Sequence, residues 1–256
     1  MGQFLLLNLY GPLQSWGYQT VGGTRPSHAY PTKSAVLGLV AAAMGLPRNA
    51  EQDHRKLRQG LGFAVCILSP GHLERDYHTV QVPKTKRKVT HHTRKSELAD
   101  TTTLNTILST RDYRADAVYL VALWPRTESI NLATIADTIK KPAFFLSLGR
   151  RSCPPALPLH PTIIHAETLA EAFETRLESS TFLKRRLARL RFWNKDGSAA
   201  FRTVWDTIPA PGMNILHTET RRDDPGSRTA WTFSNRAEHV GQLILASPKK
   251  QNPQEP

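Results

Sequence analysis

The order strand–helix–strand can be traced twice through the N-terminal part of the chain, and this order restricts the possible folds most. The apolar run Phe4–Tyr10 predicts a buried strand, and "AVLGLVAAAMG" predicts an amphipathic helix that begins at Thr32 or Ser34. The further signals are a polar helix, two strands, a helix and a strand: Glu51–Gln59, Phe63–Leu68, Asp116–Trp124, Leu132–Lys140 and Ala143–Leu148. This order predicts an α+β fold with a ferredoxin-like domain of the RNA-recognition (RAMP) type.

The charge of the chain favours a polyanionic partner. Lys and Arg number 34 against 21 acidic residues, which gives a formal net charge of +13, while a hydrophobic fraction of 39% is sufficient for a core. A surface of this charge attracts nucleic acid or anionic lipid, and acidic substrates fit as well.

Cysteine usage and hydropathy predict a cytoplasmic protein without a membrane partner. Cys66 and Cys153 show no C-x-x-C spacing, so reduced thiols are expected rather than a disulfide or a zinc site. The Met1 end has no basic leader with a cleavage site, and the apolar stretch Ala35–Leu46 is too short to span a bilayer.

A basic insertion, Gln81–Arg111, lies between the second and third predicted strands and is too long for an ordinary connection. Its Thr and Val content favours a long β-hairpin that projects into solvent. The alternative is a disordered charged loop that contacts nothing. Its cations, opposed only by Glu97 and Asp100, are candidate RNA-binding residues: Lys84, Lys86, Arg87, Lys88, Arg94, Lys95 and Arg111.

The C-terminal third predicts a small β-rich subdomain. The segments "RTVWDTIP" and "TAWTFSNRAEHV" are typical of antiparallel strands with polar faces, whereas "LKRRLARLRFW" alternates apolar and basic residues. The predicted organisation is a first domain at 1–153 containing the insertion 81–111, a C-terminal subdomain at 154–246 and a disordered tail at 247–256.

Enzyme motifs are mostly missing. The sequence contains no phosphate-binding P-loop, no dinucleotide fingerprint, no H-E-x-x-H and no G-x-S-x-G, so it predicts no cofactor. His78, His91 and His92 could meet over a metal, but His91 and His92 are adjacent in a basic segment without a nearby carboxylate, which disfavours a metal site. Tyr77 and His78 with a neighbouring lysine could serve metal-independent RNA cleavage, a weak constellation that is kept as the enzymatic alternative.

The segments "GGTRPS" and "PTKS" predict an anion site. They place Arg25 and Lys33 just before a helix N-terminus, where unpaired amide groups and the helix dipole favour a phosphate. Trp16 or Tyr18 could stack a base beside it. The alternative is that Trp16 fills the core and Arg25 is a solvated loop charge.

A second candidate phosphate site follows Gly149 in "LSLGRRSCPP". Arg150 and Arg151 directly after a strand-to-turn glycine would direct paired guanidinium groups at phosphates. Paired arginines in such a turn are also common as plain surface charge.

Several segments, in this order and at these separations, resemble the type I-E branch of the fifth family of CRISPR-associated (Cas) proteins. The resemblance is clear from Phe4 to Pro154 and continues weakly near "FSNRAEHV". The segments that carry it are "LYGPLQSWG", "GTRPS", "PTKSAVLGLVAAAMG", "RDYHTV" and "LGRRSCP".

The resemblance implies an antiviral RNA-binding protein. Members of this family have a ferredoxin-like domain with a thumb hairpin, hold the crRNA 5′ handle and cap the backbone filament of the Cascade complex. The implied partners are crRNA, the backbone filament subunit, the large subunit and, indirectly, target DNA. In type I-E systems the subunit is regarded as noncatalytic, whereas the type I-C relative cleaves precursor RNA. The thumb corresponds to Gln81–Arg111, and handle binding to the loop Gly22–Lys33 and the turn Gly149–Ser152.

The sequence therefore predicts a noncatalytic crRNA-binding Cascade subunit that clamps phosphates and stacks bases. A metal-independent endoribonuclease is the first alternative. A basic RNA-binding module outside any CRISPR complex is the second.

Overall fold

The computed structural model describes residues 1–18, 20, 22–84, 90–189 and 198–245. The strands are β1 Gly2–Tyr10, β2 Leu13–Gln14, β3 Thr24–Arg25, β4 Leu61–Ser69, β5 His72–Pro83, β6 Leu104–Ala115, β7 Val118–Pro125, β8 Thr162–Ala166, β9 Ala199–Trp205, β10 Ile215–Ser227 and β11 Thr232–Leu245. The helices are α1 Lys33–Ala43, α2 Glu51–Gly60, α3 Arg94–Glu97, α4 Leu132–Lys140, α5 Leu169–Ser179 and α6 Thr181–Arg189, with a 3₁₀ turn at Thr101–Thr103.

A seven-stranded antiparallel sheet forms the centre of this mixed α/β fold. Its strand order is β10-β11-β9-β4-β7-β1-β8. The central strands β1, β4 and β7 are buried on both faces, which is why they read as continuous apolar runs rather than as alternating patterns. The strands predicted at these three places are confirmed.

Helices cover both faces of this sheet. Leu5, Leu7 and Leu9 of β1 face the layer of α1, α2 and α4, whereas Phe4 and Leu6 face α5 and α6. Successive side chains of a strand point to opposite faces, so one strand supplies both cores. Among the described residues, no helix is long and apolar enough to cross a membrane.

Helix α1 begins where the sequence predicts. Thr32 is the N-cap, and its side chain accepts a hydrogen bond from the Ala35 amide. The helix is followed by Gly45 at φ 73°, a left-handed conformation that favours glycine. The predicted helices at Glu51–Gln59 and Leu132–Lys140 are present as α2 and α4.

The strand predicted at Ala143–Leu148 is wrong. The amides of Ala143 and Phe144 instead donate to the carbonyls of Ala43 and Ala42 at 2.9 and 3.1 Å, capping the end of α1. The closing strand is β8, which pairs with β1 in the register Phe4↔Ile164. Leu146 and Leu148 are buried from a loop, while Phe144 and Phe145 are exposed, and a short apolar run does not by itself distinguish this arrangement from a strand.

The basic insertion is the outer part of a long hairpin. Strands β5 and β6 pair antiparallel from His72↔Ala115 to Pro83↔Leu104, so the hairpin begins nine residues before the predicted Gln81. β2 and β3 pair with the other edge of β6 and complete a second, four-stranded sheet. The disordered-loop alternative is wrong for the paired arms, while residues 85–89 lie outside the described part.

The strand signals of the C-terminal third are found in β9 and β11. These strands extend the main sheet, because β9 pairs with β4 in the register Val65↔Val204. The segment "LKRRLARLRFW" begins within α6 and continues into residues outside the described part. The division at 153/154 stays a prediction, and the tail 247–256 is not described.

Candidate nucleic-acid interface

Three distant segments of the chain line one open groove of about 470 Å³ beside the N-terminal half of α1. We call it the basic groove. It is bordered by the loop after β2, by the turn at 147–150 and by the tip of the β10–β11 hairpin. Its main side chains are Tyr18, Arg25, Ser34, Phe145, Arg150, Arg228, Trp231 and Phe233.

A glycine permits the contact between two of these segments. Gly149 has φ 90°, and a Cβ atom built on it would lie 1.6 Å from the carbonyl oxygen of Ser15. The Ser15 amide donates to Leu148 O at 3.0 Å, and the Leu148 amide donates to Cys153 O at 2.7 Å. Only glycine fits this position, and the tight turn brings Arg150 to the groove.

Arg150 joins the turn to the hairpin base and to β3. Its Nη2 donates to the carbonyl of Arg25 at 2.7 Å, and its Nη1 donates to the carbonyl of Asp112 at 3.2 Å. The guanidinium carbon also lies 4.8 Å from the ring centroid of Tyr113. The two predicted phosphate sites, at Arg25 and at Arg150, therefore belong to one surface.

Further arginines lie beside this surface, Arg111 on β6 and Arg75 on β5. Arg25 lies beside Arg111 in the parallel β3–β6 register, and its exposed side chain donates to Gly22 O at 2.8 Å. Arg75 forms a salt bridge with Asp112, in which Nε of Arg75 donates a hydrogen bond to Oδ1 of Asp112 at 2.8 Å. This hydrogen bond lowers the pKa of Asp112. Asp112 thus compensates Arg75, while Arg151 is exposed in the turn.

Trp16 lies in the core, 1% exposed, with its ring 6.0 Å from that of Tyr119 in an edge-to-face contact. It presents no face to a base, so its assignment as a stacking residue is wrong and the core alternative is correct. Tyr18, the other aromatic named for that role, is 54% exposed and lines the groove.

Lys33 is buried as well, and its assignment to RNA binding is wrong. Its Nζ lies 2.8 Å from Asp206 Oδ2, and its backbone amide donates to Asp223 Oδ2 at 2.9 Å. Burial acts to raise the pKa of Asp223, but hydrogen bonds from Arg236 outweigh it and the pKa is lowered. Lys33 therefore anchors α1 to the C-terminal strands.

The cations of the hairpin tip are spread along one projecting element. Lys84 and Lys95 are exposed, and Arg94 bonds to Glu97 and to the carbonyl of Gln81. Lys86, Arg87 and Lys88 lie outside the described residues. Lys84, Arg94 and Lys95 are not among the residues that line the basic groove.

The sequence did not predict the contribution of the β10–β11 hairpin to the groove. Arg228 donates to the carbonyl of Ser34 at 2.9 Å, and Trp231 is 55% exposed beside it. The signal was present in "TAWTFSN", where two aromatic residues follow a turn. The position of the β10–β11 hairpin over α1 depends on strand pairing between segments far apart in the chain, which the sequence pattern does not show.

Comparisons with known proteins agree on one family. The family model described as "CRISPR-associated protein (Cas_Cas5)" matches residues 4–237. A curated relative, the CRISPR system Cascade subunit CasD of Escherichia coli (strain K12), is 34% identical over 169 residues, which span 62% of this chain and 70% of the relative.

Two solved structures are similar over nearly the whole chain. A chain of a "CRISPR RNA-guided surveillance complex" is 27% identical with a TM-score of 0.65, covering 96% of this chain and 95% of that one. A chain described as "Crystal structure of Cas protein" is 25% identical with a TM-score of 0.57, covering 99% of both. The chain belongs to the Cas5 family of CRISPR-associated proteins.

Proposed function

We propose that this protein is a crRNA-binding subunit of a type I-E Cascade complex and that its basic groove holds the crRNA 5′ handle. Membership of the Cas5 family supports a CRISPR role. The curated relative is a Cascade subunit, and the structural neighbour with the TM-score of 0.65 is a chain of a CRISPR RNA-guided surveillance complex. The partners proposed are crRNA, the backbone filament subunit and the large subunit, with target DNA reached indirectly in the cytoplasm.

The strand order supports the finer description of the fold. Within the main sheet, the strands of the two strand–helix–strand units lie in the order β8-β1-β7-β4 with antiparallel neighbours. This order is that of a ferredoxin-like RAMP domain, with the β5–β6 hairpin as its thumb.

The observation that carries the proposal is the convergence of cations and exposed rings in one groove. The Arg150 guanidinium donates to the backbone carbonyl of Arg25 at 2.7 Å, which places the two residues side by side. Tyr18, Phe145 and Trp231 are 54%, 71% and 55% exposed. Proteins usually bind single-stranded nucleic acid with cations placed along its phosphate backbone and with aromatic rings on which any base can stack.

The enzymatic alternative has one observation in its favour. His78 Nδ1 lies 2.5 Å from Asp76 Oδ2, the arrangement of an oriented imidazole. Tyr77, however, is the next residue of β5 and points to the opposite face of the strand, so Tyr77 and His78 do not converge on one phosphate. We therefore propose a noncatalytic subunit.

Binding of the repeat RNA tests the proposal. The full chain is titrated with fluorescein-labelled RNA of the 5′ handle from its own locus and with scrambled RNA of equal length. We expect preference for the handle and a log–log salt slope near −3 to −4, taking roughly 0.7 per phosphate for about four to six phosphates. Equal affinity for both RNAs would contradict handle recognition.

A matched pair of variants locates the contact. Arg25→Ala removes an exposed cation of the groove, whereas Arg185→Ala removes an exposed cation of α6 on the opposite face of the sheet. Only the first should weaken binding. Incubation of the wild-type protein with repeat RNA in EDTA should leave the RNA intact, and cleavage would favour the endoribonuclease.

A further inference from the structure

A second cavity, of about 550 Å³, continues the basic groove toward β10. We call it the aromatic slot. It shares Tyr18, Ser34, Trp231 and Phe233 with the groove, and its remaining polar side chains come from the loop before α1 and from β10. The side chains that matter here are Tyr18, His28, Arg221, Arg222, Trp231 and Phe233.

Trp231 has a left-handed backbone conformation at the last position of the β10–β11 turn. Its φ is 51°, in the left-handed region where a bulky residue is an outlier. A tryptophan held there while 55% of it is exposed gains little from burial. Strained residues of this kind concentrate where a side chain must be presented to a ligand.

The ring of Trp231 is held in place on one side. The guanidinium carbon of Arg48 lies 4.1 Å from the ring centroid, and Arg48 Nε donates to the carbonyl of Arg228 at 3.0 Å. The hairpin turn is fixed further by Glu51, which accepts from Ser227 Oγ and from the Thr229 amide, both at 2.8 Å. Trp231 is therefore preorganised.

Three further rings line the slot. The Tyr18 and His28 rings lie 4.3 Å apart, and Phe233 lies 6.3 Å from Trp231 at an interplanar angle of 28°. Burial, followed by the Arg221 guanidinium, lowers the pKa of His28 to about 4, so the His28 ring is uncharged at neutral pH. The slot thus has aromatic rings from two parts of the chain, the loop before α1 and the β10–β11 hairpin.

The cations around the slot favour a nucleotide over a peptide. Arg222 Nε donates to the carbonyl of Phe233 at 3.3 Å, and Arg221 Nη2 lies 3.4 Å from His28 Nδ1. Arg222 is exposed next to the stacking rings, whereas the Arg221 side chain is 15% exposed and its Nε lies 3.5 Å from Glu238 Oε2. Arg222 is therefore the cation of the slot that is open to a phosphate. A ring system joined to a phosphate matches this combination of faces and charge.

We propose that the aromatic slot binds one unstacked base of the RNA, with Trp231 as the stacking residue contributed by the β10–β11 hairpin. This inference rests on the proposed function and adds to it a base-binding site, separate from the phosphate contacts of Arg25. At the groove, one base turns out of the stack of its neighbours and enters the slot, while its nucleotide stays part of the RNA strand.

Trp231→Gly provides the test because it removes the ring and relieves the backbone. We expect an unchanged or higher thermal midpoint and binding of handle RNA about 10-fold weaker or more, as loss of one base stack does. The salt slope should stay the same because no phosphate contact is lost. Phe144→Ala, which removes a 50% exposed ring outside the slot, is the control and should bind as wild type.

A series of handle RNAs, each with one abasic nucleotide, identifies the base. One abasic position should weaken binding to the wild-type protein and have no further effect on Trp231→Gly. Wild-type affinity in Trp231→Gly, a reduced salt slope, or equal losses at every abasic position would overturn the slot. If Trp231→Gly does not fold, Trp231→Phe should bind as wild type and Trp231→Leu should not.

The two proposals fail in different ways. Handle preference retained by the wild type, together with unchanged binding by Trp231→Gly, rejects the slot and leaves the handle-binding function in place. If the wild-type protein binds handle RNA and scrambled RNA equally, the proposed function is rejected, and the slot is rejected with it.

Discussion

The ammonium group of Lys33 lies 2.8 Å from a carboxylate oxygen of Asp206, and both side chains are 4% exposed. Asp206 also accepts from Arg236 Nη1 at 2.8 Å and lies 3.2 Å from Arg126 Nη2. This buried network joins the first turn of α1 to the end of β9. It fixes one border of the basic groove against the C-terminal strands.

Replacing Lys33 should therefore change stability rather than RNA contacts. Lys33→Met removes one partner of a buried ion pair, and we expect a loss of roughly 3 kcal/mol in the free energy of unfolding. The measurement is urea denaturation. Well below the urea transition, the folded fraction should keep the salt slope of the wild type. A stable Lys33→Met protein with a reduced salt slope would return Lys33 to the RNA surface.

The paired arginines of the turn should behave differently from each other. Arg150 donates to the carbonyls of Asp112 and Arg25, so Arg150→Ala should cost about 2 kcal/mol of stability as well as RNA affinity. Arg151→Ala removes an exposed charge, so it should leave the thermal midpoint within a degree or two and reduce the salt slope by about 0.7. Calorimetry and salt titration of both variants make the comparison. Equal melting of the two would show that the Arg150 contacts contribute nothing.

The tip of the β5–β6 hairpin should be separable from the fold. Pro83 and Leu104 are directly opposite, so residues 84–103 can be replaced by Asn-Gly, a turn that suits a two-residue hairpin connection. The short helical turns of the tip contain no buried residue, and we expect an unchanged melting temperature.

Assembly should nevertheless be lost in that variant. The readout is co-purification of the shortened chain with crRNA and the other Cascade subunits, with the wild-type chain as control. Recovery of a complete, target-binding complex would mean that the tip is only a tolerated loop.

His28 should make stability fall on acidification. Burial, followed by the Arg221 guanidinium, lowers its pKa from 6.5 to about 4, while Asp223 acts in the opposite direction. As pH falls, His28 of the unfolded chain binds a proton before His28 of the folded chain does. The contribution of neutral His28 to the free energy of unfolding is therefore complete above pH 6.5 and is lost between pH 6.5 and 4, at a rate of at most about 1.4 kcal/mol per pH unit. Urea denaturation of wild type and His28→Gln across this range should show a shallower pH dependence in the variant. Parallel curves would contradict the shifted pKa.

The sequence by itself determined the secondary elements with strong local signals. The apolar runs of β1, β4 and β7 and the Thr32 cap of α1 follow from burial on both faces and from the need to satisfy helix amides, and both causes act within a few residues. The long basic insertion was likewise visible because its length exceeds what a connection between neighbouring strands needs.

Only the tertiary structure decided which cations and rings share a surface. Lys33 and Trp16 occur in the same loop region as Arg25 and Tyr18, yet the first two are buried and the last two are exposed. The difference depends on partners distant in sequence, Asp206 for Lys33 and Tyr119 for Trp16. Trp231 joins the groove for the same reason, because sheet pairing places its hairpin over α1. The local residue pattern determines the helices and strands, whereas contacts between these elements determine which charged and aromatic side chains are buried.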